Sequence, residues 1–265
     1  MLRAIFSHFV RMPLMRHLSL ILLLIAAVVG ISGCTGSGNS TQTMTTEERF
    51  QEAMRLLEDK DYIKAAEMFD IIVTQDPAAD VADDAQFYLA ETYYRDEQFK
   101  LAAFHYNKLL RSFPSSQFYK RALFQAAMCY FESSPKFDRD QGDTETAVRQ
   151  FKIFSDLYPD DDSLNAIARE RAAELRDKMA QKEFSIAEQY RKLDDPRAAL
   201  IYYQKVIDLY PDSRYHIPAL EEKARALKLL GRDKEALDAV QKFIDENPTN
   251  PLLSRIRDVQ QELSR

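Results

Sequence analysis

The chain has 265 residues, of which 46% are hydrophobic and 29% charged, a composition that excludes a disordered protein. Only 6 Gly and 2 Cys occur, which disfavours a turn-rich β-fold or a disulfide framework, and there is no glycine-rich phosphate loop. The net charge is −6, and since residues 1–33 carry +3, the remainder carries −9, which argues against nucleic acid as a partner.

The N-terminus has the layout of a bacterial secretion signal. Residues 20–29 carry no polar side chain, and Arg11 and Arg16 precede them. Because this run is shorter than the ~20 residues that span a bilayer, it predicts a signal peptide over 1–33. The start codon stays open between three methionines: Met1, Met12 and Met15.

The signal ends in Ile31-Ser32-Gly33-Cys34, which is similar to a lipobox, where bacterial processing acylates the Cys and cuts before it. We therefore expect Cys34 to carry N-palmitoyl and S-diacylglycerol groups, several chains being needed for stable anchoring. The polar segment 34–46 is a flexible tether, and Thr35, in place of an Asp retention signal, favours the outer membrane. An ordinary signal peptide with a chance Cys is the alternative.

The rest of the chain is a repeat that is marked by proline and alanine. Each of five apolar stretches ends in a proline: Pro77, Pro114, Pro159, Pro211 and Pro248. An alanine lies twelve residues before each proline: Ala65, Ala102, Ala147, Ala199 and Ala236. Large apolar residues lie eight and five residues before each proline, so the three columns lie on one face of a helix. The proline then ends that helix.

A second alanine column lies upstream of the first: Ala53, Ala90, Ala127, Ala187 and Ala224. Two antiparallel helices approach closely where such small residues meet, and this is the tetratricopeptide pattern. The sequence therefore predicts an all-α fold, a right-handed superhelix of five tetratricopeptide helix hairpins. Repeats one to three are expected over 47–160.

The second half, 161–265, is expected to hold a long helix, repeats four and five and a capping helix. The third repeat carries an inserted loop over 133–143, and the helix-like stretch 160–182 predicts one long helix leading into the fourth repeat. The amphipathic stretch 252–263 would cap the open end of the superhelix.

Two stretches give the chain a family resemblance over about 47–250. They are FDRDQ at 137–141 in the insertion and KEFSIAEQY at 182–190 entering the fourth repeat. With the lipobox and the five repeats, the chain resembles the BamD family, the tetratricopeptide lipoproteins of the outer-membrane β-barrel assembly machinery. The resemblance implies a place on the periplasmic face of the outer membrane. Its implied partners are the periplasmic domains of the barrel-forming subunit, unfolded barrel precursors and other assembly lipoproteins.

The first helices of repeats one to three carry apolar residues three before and four after the upstream alanine: Phe50, Leu57, Phe87, Tyr94, Phe124 and Phe131. We expect this ladder to line an exposed groove that takes an extended apolar segment, such as the end of a barrel precursor. Arg95 or Arg121 would bind its carboxylate. The alternative is that these aromatics are core residues, or that the tether covers them.

Repeats four and five are, by the resemblance, the surface for the barrel subunit. Candidate ionic contacts there are Arg176, Lys178, Arg191, Arg214 and Arg232, although a charge of this kind, taken singly, is more often a solvated one. No catalytic, metal or cofactor motif is present, so we expect no enzyme activity. Cys129, in an apolar helix, is expected to be a core residue.

Two other functions stay open. The chain could be a tetratricopeptide lipoprotein adaptor for peptidoglycan enzymes or envelope constriction, although such an adaptor would not need FDRDQ in its third repeat. The third hypothesis is an enzyme regulated by such repeats, but no residues are left for its catalytic domain.

Overall fold

The structure, a computed structural model, describes residues 44–160 and 162–265. Of Asp162 it describes the backbone but not the side chain. Cys34, the predicted signal peptide and the predicted tether up to residue 43 lie outside the described residues. The described chain contains helices and turns but no strand. Its helices are α1 Thr46–Glu58, α2 Tyr62–Gln75, α3 Ala82–Arg95, α4 Phe99–Ser112, α5 Tyr119–Glu132, α6 Gly142–Leu157, α7 Asp162–Lys192, α8 Pro196–Leu209, α9 His216–Leu229, α10 Asp233–Glu246 and α11 Leu253–Leu263.

The two predicted alanine columns are confirmed as the contact points of five helix hairpins. All ten alanines have an exposed fraction of 0%. The residues four after the downstream alanine are also fully buried: Phe69, Tyr106, Phe151, Tyr203 and Val240. Small residues let the two helices of a repeat approach, and the large neighbours fill the space that remains.

The five prolines end the second helix of each repeat in the same way. The residue before each proline is a helix C-cap with φ between −129° and −137° and ψ between 54° and 63°. This backbone lies outside the α region, which a following proline disfavours for the residue before it. Each cap N–H still donates to the carbonyl four residues back, so the last turn closes before the chain leaves it.

A left-handed residue makes the tight turn between the two helices in four of the repeats. These residues are Lys60, Glu97, Asp194 and Gly231, with φ from 55° to 70°. They lie at equivalent positions, 37 residues apart within each neighbouring pair. Glycine adopts this conformation without strain, whereas the other three residues do so at a cost.

The third repeat replaces that turn with the predicted insertion, which is tied down by hydrogen bonds. The buried side chain of Gln141 donates from Nε2 to the carbonyls of Lys136 and Arg139, at 2.9 and 3.1 Å. Lys182 of α7 donates to the Arg139 carbonyl as well, at 2.9 Å. In the FDRDQ motif, Gln141 therefore holds the loop, while Asp138 and Asp140 are exposed.

The long helix predicted over 160–182 is present as α7, which has 31 residues. It packs first on α6 and then on α8, so it belongs to two repeats. The predicted terminal helix is α11, whose buried side chains Leu253, Ile256, Val259 and Leu263 complete a cluster with α9 and α10. No helix among residues 44–160 and 162–265 is both long and apolar enough to cross a bilayer.

Candidate functional site

Four members of the predicted aromatic ladder are core residues, so the expectation that they line an exposed groove is wrong. Phe50, Leu57, Phe87 and Phe124 are buried. Phe50 packs on Tyr88 of the next repeat, with ring centroids 6.0 Å apart. The physical reason is that each first helix contacts the following repeat as well as its own partner helix, so its apolar stripe is covered on both sides.

The remaining members of the ladder stay accessible on repeats two and three. Tyr94 and Phe131 are partly buried, and Arg95 and Arg121 are exposed. The Arg121 guanidinium lies 5.0 Å from the Phe87 ring centroid and makes no ion pair within the described residues. Of the eight predicted groove residues, two aromatic side chains and two arginines therefore remain accessible, and we call these four residues the corrected groove.

The phenol of Tyr94 stays protonated in this groove. Its ring packs edge-on against Phe99, with centroids 5.4 Å apart. Burial, and after it the charge of nearby Glu132, raises the pKa of Tyr94 to about 12. A protonated phenol can donate a hydrogen bond to an incoming main-chain carbonyl.

A buried carboxylate links Arg95 to the core of the second repeat. Glu91 accepts a hydrogen bond from the Tyr106 hydroxyl at 2.9 Å and one from Arg95 Nε at 3.3 Å. The terminal guanidinium nitrogens of Arg95 make no hydrogen bond within residues 44–160 and 162–265. Glu91 thus fixes the base of the Arg95 guanidinium and leaves its outer donors available to an anion.

The fourth repeat contains the same arrangement. The Tyr203 hydroxyl donates to Glu188 at 2.5 Å, and Arg191 donates to Glu188 at 2.8 Å. In repeats one and three the tyrosine is a phenylalanine, and a methionine takes the place of the glutamate: Phe69 with Met54, and Phe151 with Met128. At this pair of positions, each of the four repeats has either tyrosine with glutamate or phenylalanine with methionine. The tyrosine hydroxyl thus always has a carboxylate acceptor, and the phenylalanine always has an apolar neighbour.

Three of the five cations predicted to contact a partner already join elements of this chain. Arg176 of α7 contacts Asp212 through two nitrogens and also donates to the Leu209 carbonyl at 3.1 Å. Arg214 pairs with Asp177 at 2.7 Å, and Lys178 donates to Ser134 at 2.9 Å. Since their donors are used internally, these three residues hold α7 to its neighbours.

The other two cations, Arg191 and Arg232, form pairs with residues three away in sequence. Arg232 pairs with Glu235 at 2.6 Å on a solvent-exposed surface. Arg191 pairs with Glu188 and lies 3.9 Å from Glu222. Glu222 in turn contacts Arg225, which pairs with Glu262 of α11. A row of alternating charges therefore runs from repeat four to the capping helix.

A cavity of about 430 Å³ lies beside this row of charges, and the sequence did not predict it. Its lining combines Arg191, Glu222 and Arg225 with apolar atoms of Ala199 and Leu229. Leu229 is 77% exposed, and Leu193, next to the lining residue Asp194, is 74% exposed. Both leucines lie where a first helix ends, outside the repeating apolar columns, so periodicity gave no signal for them.

Two further buried polar side chains, Gln86 and His105, contact each other. The Gln86 amide donates to His105 Nδ1 at 3.2 Å and to the His105 carbonyl at 3.1 Å. Burial, and after it the nearby Lys108 charge, lowers the pKa of His105 to about 4. Cys129 is buried, as predicted, and burial raises the pKa of its thiol. Among the described residues, no three His, Cys, Asp or Glu side chains are grouped to hold a metal ion.

Known proteins resemble this chain over most of its length. It is 25% identical over 251 residues to outer membrane protein assembly factor BamD of Neisseria meningitidis serogroup B, covering 89% of this chain and 94% of the relative. It is 27% identical over 217 residues to BamD of Rickettsia prowazekii, covering 81% and 85%. Among solved structures, the TPR2AB domain of yeast Sti1 in its pHSP90 complex is 15% identical, with a TM-score of 0.44 and 82% of each chain covered.

The family model described as YfiO, outer membrane lipoprotein, matches residues 42–243, which span all five alanine–proline repeats except the final turn of the last. The third-repeat insertion and the long helix α7, the two departures from a regular array, both lie inside the matched range. The chain therefore belongs to the YfiO family of outer membrane lipoproteins, the family of the assembly factor BamD.

Proposed function

We propose that this protein is a non-enzymatic, lipid-anchored subunit of the machinery that assembles β-barrel proteins in the outer membrane. The observation that carries the proposal is the family match over residues 42–243, because relatives across that range are named outer membrane protein assembly factors. The exposed surfaces of a tetratricopeptide array suit binding to other chains. The alternative, an adaptor for peptidoglycan or envelope-constriction machinery, has no observation of its own.

Depletion in the native bacterium separates the two functions. Loss of barrel proteins from the outer membrane, before any defect in division, is the result expected for an assembly subunit. Intact barrels together with a septation or cell-wall defect would refute it and favour the adaptor.

We place the anchor on Cys34, as the Ile-Ser-Gly-Cys pattern suggests. Mass spectrometry of the mature N-terminal peptide should find diacylglyceryl and palmitoyl groups on this cysteine. Cys34→Ala should abolish acylation and release the protein from outer-membrane fractions. An unmodified N-terminal cysteine in mature protein would contradict this part of the proposal.

Unfolded precursors are proposed to bind the corrected groove of repeats two and three. Tyr94 and Phe131 offer apolar surface, and Arg95, held by Glu91, offers paired donors to a terminal carboxylate. A peptide with an aromatic C-terminus should bind at least tenfold more weakly to Arg95→Gln, and amidation of its carboxylate should remove that difference. Arg232→Gln, on a distant exposed pair, is the matched control.

The barrel subunit is proposed to dock at the cavity of repeats four and five. Exposed Leu193 and Leu229 beside an apolar and charged lining resemble the core and rim of a protein interface. Leu229→Glu should weaken binding of the barrel subunit's periplasmic domains in a pull-down. Leu209→Glu, on α8, is the control because Leu209 is also exposed but does not line the cavity. Equal binding by both variants would contradict this placement.

A further inference from the structure

Within the repeats, residues 47–265, one long segment contains no acid. Residues 98–131 include five Lys or Arg and no Asp or Glu, although the chain has 42 acids in 265 residues. Residues 34–265 carry −9, and this segment contributes +5, which leaves −14 on the rest. The segment contains α4, the following loop and nearly all of α5. Positive charge is therefore concentrated in one helix pair.

The outward face of α4 combines this charge with exposed apolar side chains. Leu101, Phe104, Lys108 and Arg111 are spaced by three, four and three residues, so they form one stripe along the helix. Phe104 is 56% exposed and Leu101 is 43% exposed. Lys108 and Arg111 make no ion pair within the described residues. We call these four residues the α4 stripe.

The acids that face α4 come from its neighbours. Lys100, beside the stripe, pairs with Asp143 of α6, and Asp70 of α2 influences the buried His105. Neither acid pairs with Lys108 or Arg111. The stripe therefore keeps two uncompensated cations next to its exposed phenylalanine.

The fourth repeat shows that the fold does not require this chemistry. The residues of α8 equivalent to the stripe are Ala198, Ile201, Lys205 and Asp208. Ile201 is 59% exposed, close to Phe104, yet Lys205 pairs with Glu183 and an acid stands in place of Arg111. The same outward position thus exists without net positive charge.

We propose that the α4 stripe rests on a membrane surface rich in anionic phospholipid, with Phe104 and Leu101 at the headgroup–acyl boundary and Lys108 and Arg111 on headgroup phosphates. Exposed aromatic and aliphatic residues beside lysine and arginine are the features of helices that lie in this interface. The inference goes beyond the proposed assembly function and rests on it only for proximity to a bilayer. Eleven residues separate a lipid-bearing Cys34 from the first residue of α1, at most about 40 Å of chain.

The absence of Trp from the chain gives a direct test. Phe104→Trp introduces a single tryptophan into the full-length protein, and Ile201→Trp is the control of matched exposure on α8. Both are reconstituted in vesicles of zwitterionic phosphatidylcholine with or without 30 mol% phosphatidylglycerol, or with brominated lipid as quencher. The tryptophan emission of Phe104→Trp should shift to the blue and be quenched by brominated lipid in the anionic vesicles. The emission of Ile201→Trp should not change.

Charge removal then tests the mechanism. In a Cys34→Ala background, Lys108→Gln with Arg111→Gln should lower partitioning into anionic vesicles about thirtyfold, since each cation near such a surface contributes about fivefold. Unchanged partitioning, an equal response of Ile201→Trp, or a Phe104→Trp shift with soluble polyglutamate but not with vesicles would overturn the inference. The last outcome would instead indicate an acidic protein partner. Mass analysis of Cys34 tests the anchor separately, so a silent Phe104→Trp on an acylated chain refutes only the membrane contact.

Discussion

The pairing of tyrosine with glutamate in the second repeat predicts a strong energetic coupling. Tyr106→Phe removes the 2.9 Å hydrogen bond to Glu91 and leaves that buried carboxylate with only the 3.3 Å contact from Arg95. Hydrogen bonds to charged groups contribute about 1.5–3 kcal/mol, so we expect the free energy of unfolding to fall by about 2 kcal/mol.

The reverse change is expected to cost less. Glu91→Met deprives the Tyr106 hydroxyl of its acceptor, but an unpaired neutral hydroxyl costs less than an unpaired carboxylate, and Arg95 is exposed enough to be solvated by water. We expect a loss of about 1 kcal/mol. The double variant reproduces the phenylalanine–methionine pair of the first and third repeats, so it should lose about 1 kcal/mol rather than the sum of about 3.

Urea unfolding of all four proteins, followed by circular dichroism, measures the cycle, with a constant m-value as the check that the same transition is compared. The expected coupling is about 2 kcal/mol in favour of the matched pair. Losses that add to within about 0.5 kcal/mol would refute the claim that Tyr106 and Glu91 form one unit. Tyr203→Phe provides the contrast: because Glu188 also accepts hydrogen bonds from Arg191, this change should cost less than Tyr106→Phe.

Three further predictions follow from backbone, protonation and ion-pair geometry. Gly231→Ala should lower thermal stability by about 1 kcal/mol through backbone strain alone, since an added Cβ meets no atom within 4 Å, while Glu97→Gly should raise it. The depressed pKa of His105 means that the unfolded chain takes up a proton first as pH falls. The unfolding free energy should therefore drop between pH 6.5 and about 4, and His105→Phe, which keeps the ring, should flatten that slope in urea titrations. Arg176→Ala should lower the free energy of unfolding by about 1 kcal/mol and Arg232→Ala by less than about 0.5 kcal/mol, because only Arg176 joins two repeats. Equal losses in urea unfolding would contradict that role.

The repeat architecture was predictable because its signals act on the backbone. A small residue at a helix crossing and a proline after a helix each restrict local geometry directly. An alanine and a proline spaced like Ala65 and Pro77 therefore predict a hairpin wherever that spacing recurs. The insertion and the long helix showed themselves as changes in that spacing. The terminal helix needed only the amphipathic pattern of 252–263.

The candidate sites were less predictable because they depend on contacts between repeats. Phe87 and Tyr94 occupy equivalent-looking positions on one helix, yet the next repeat buries the first and leaves the second accessible. Arg176 looks like a free surface charge in the sequence, since its partner Asp212 lies 36 residues away. A single sequence does not indicate which of these pairings forms.

The two surfaces proposed on the second repeat can act together because they belong to different helices. Tyr94 and Arg95 end α3, while the α4 stripe lies on the outward face of its partner helix, opposite the side that packs on α3. A repeat whose α4 rests on lipid would therefore keep the α3 groove open to a precursor. Adding saturating aromatic C-terminal peptide to Phe104→Trp in anionic vesicles should leave its blue shift unchanged, and raising salt should reverse the shift because phosphate contacts are screened. Displacement of the fluorophore from lipid by the peptide would show that the two surfaces compete, which would contradict this arrangement.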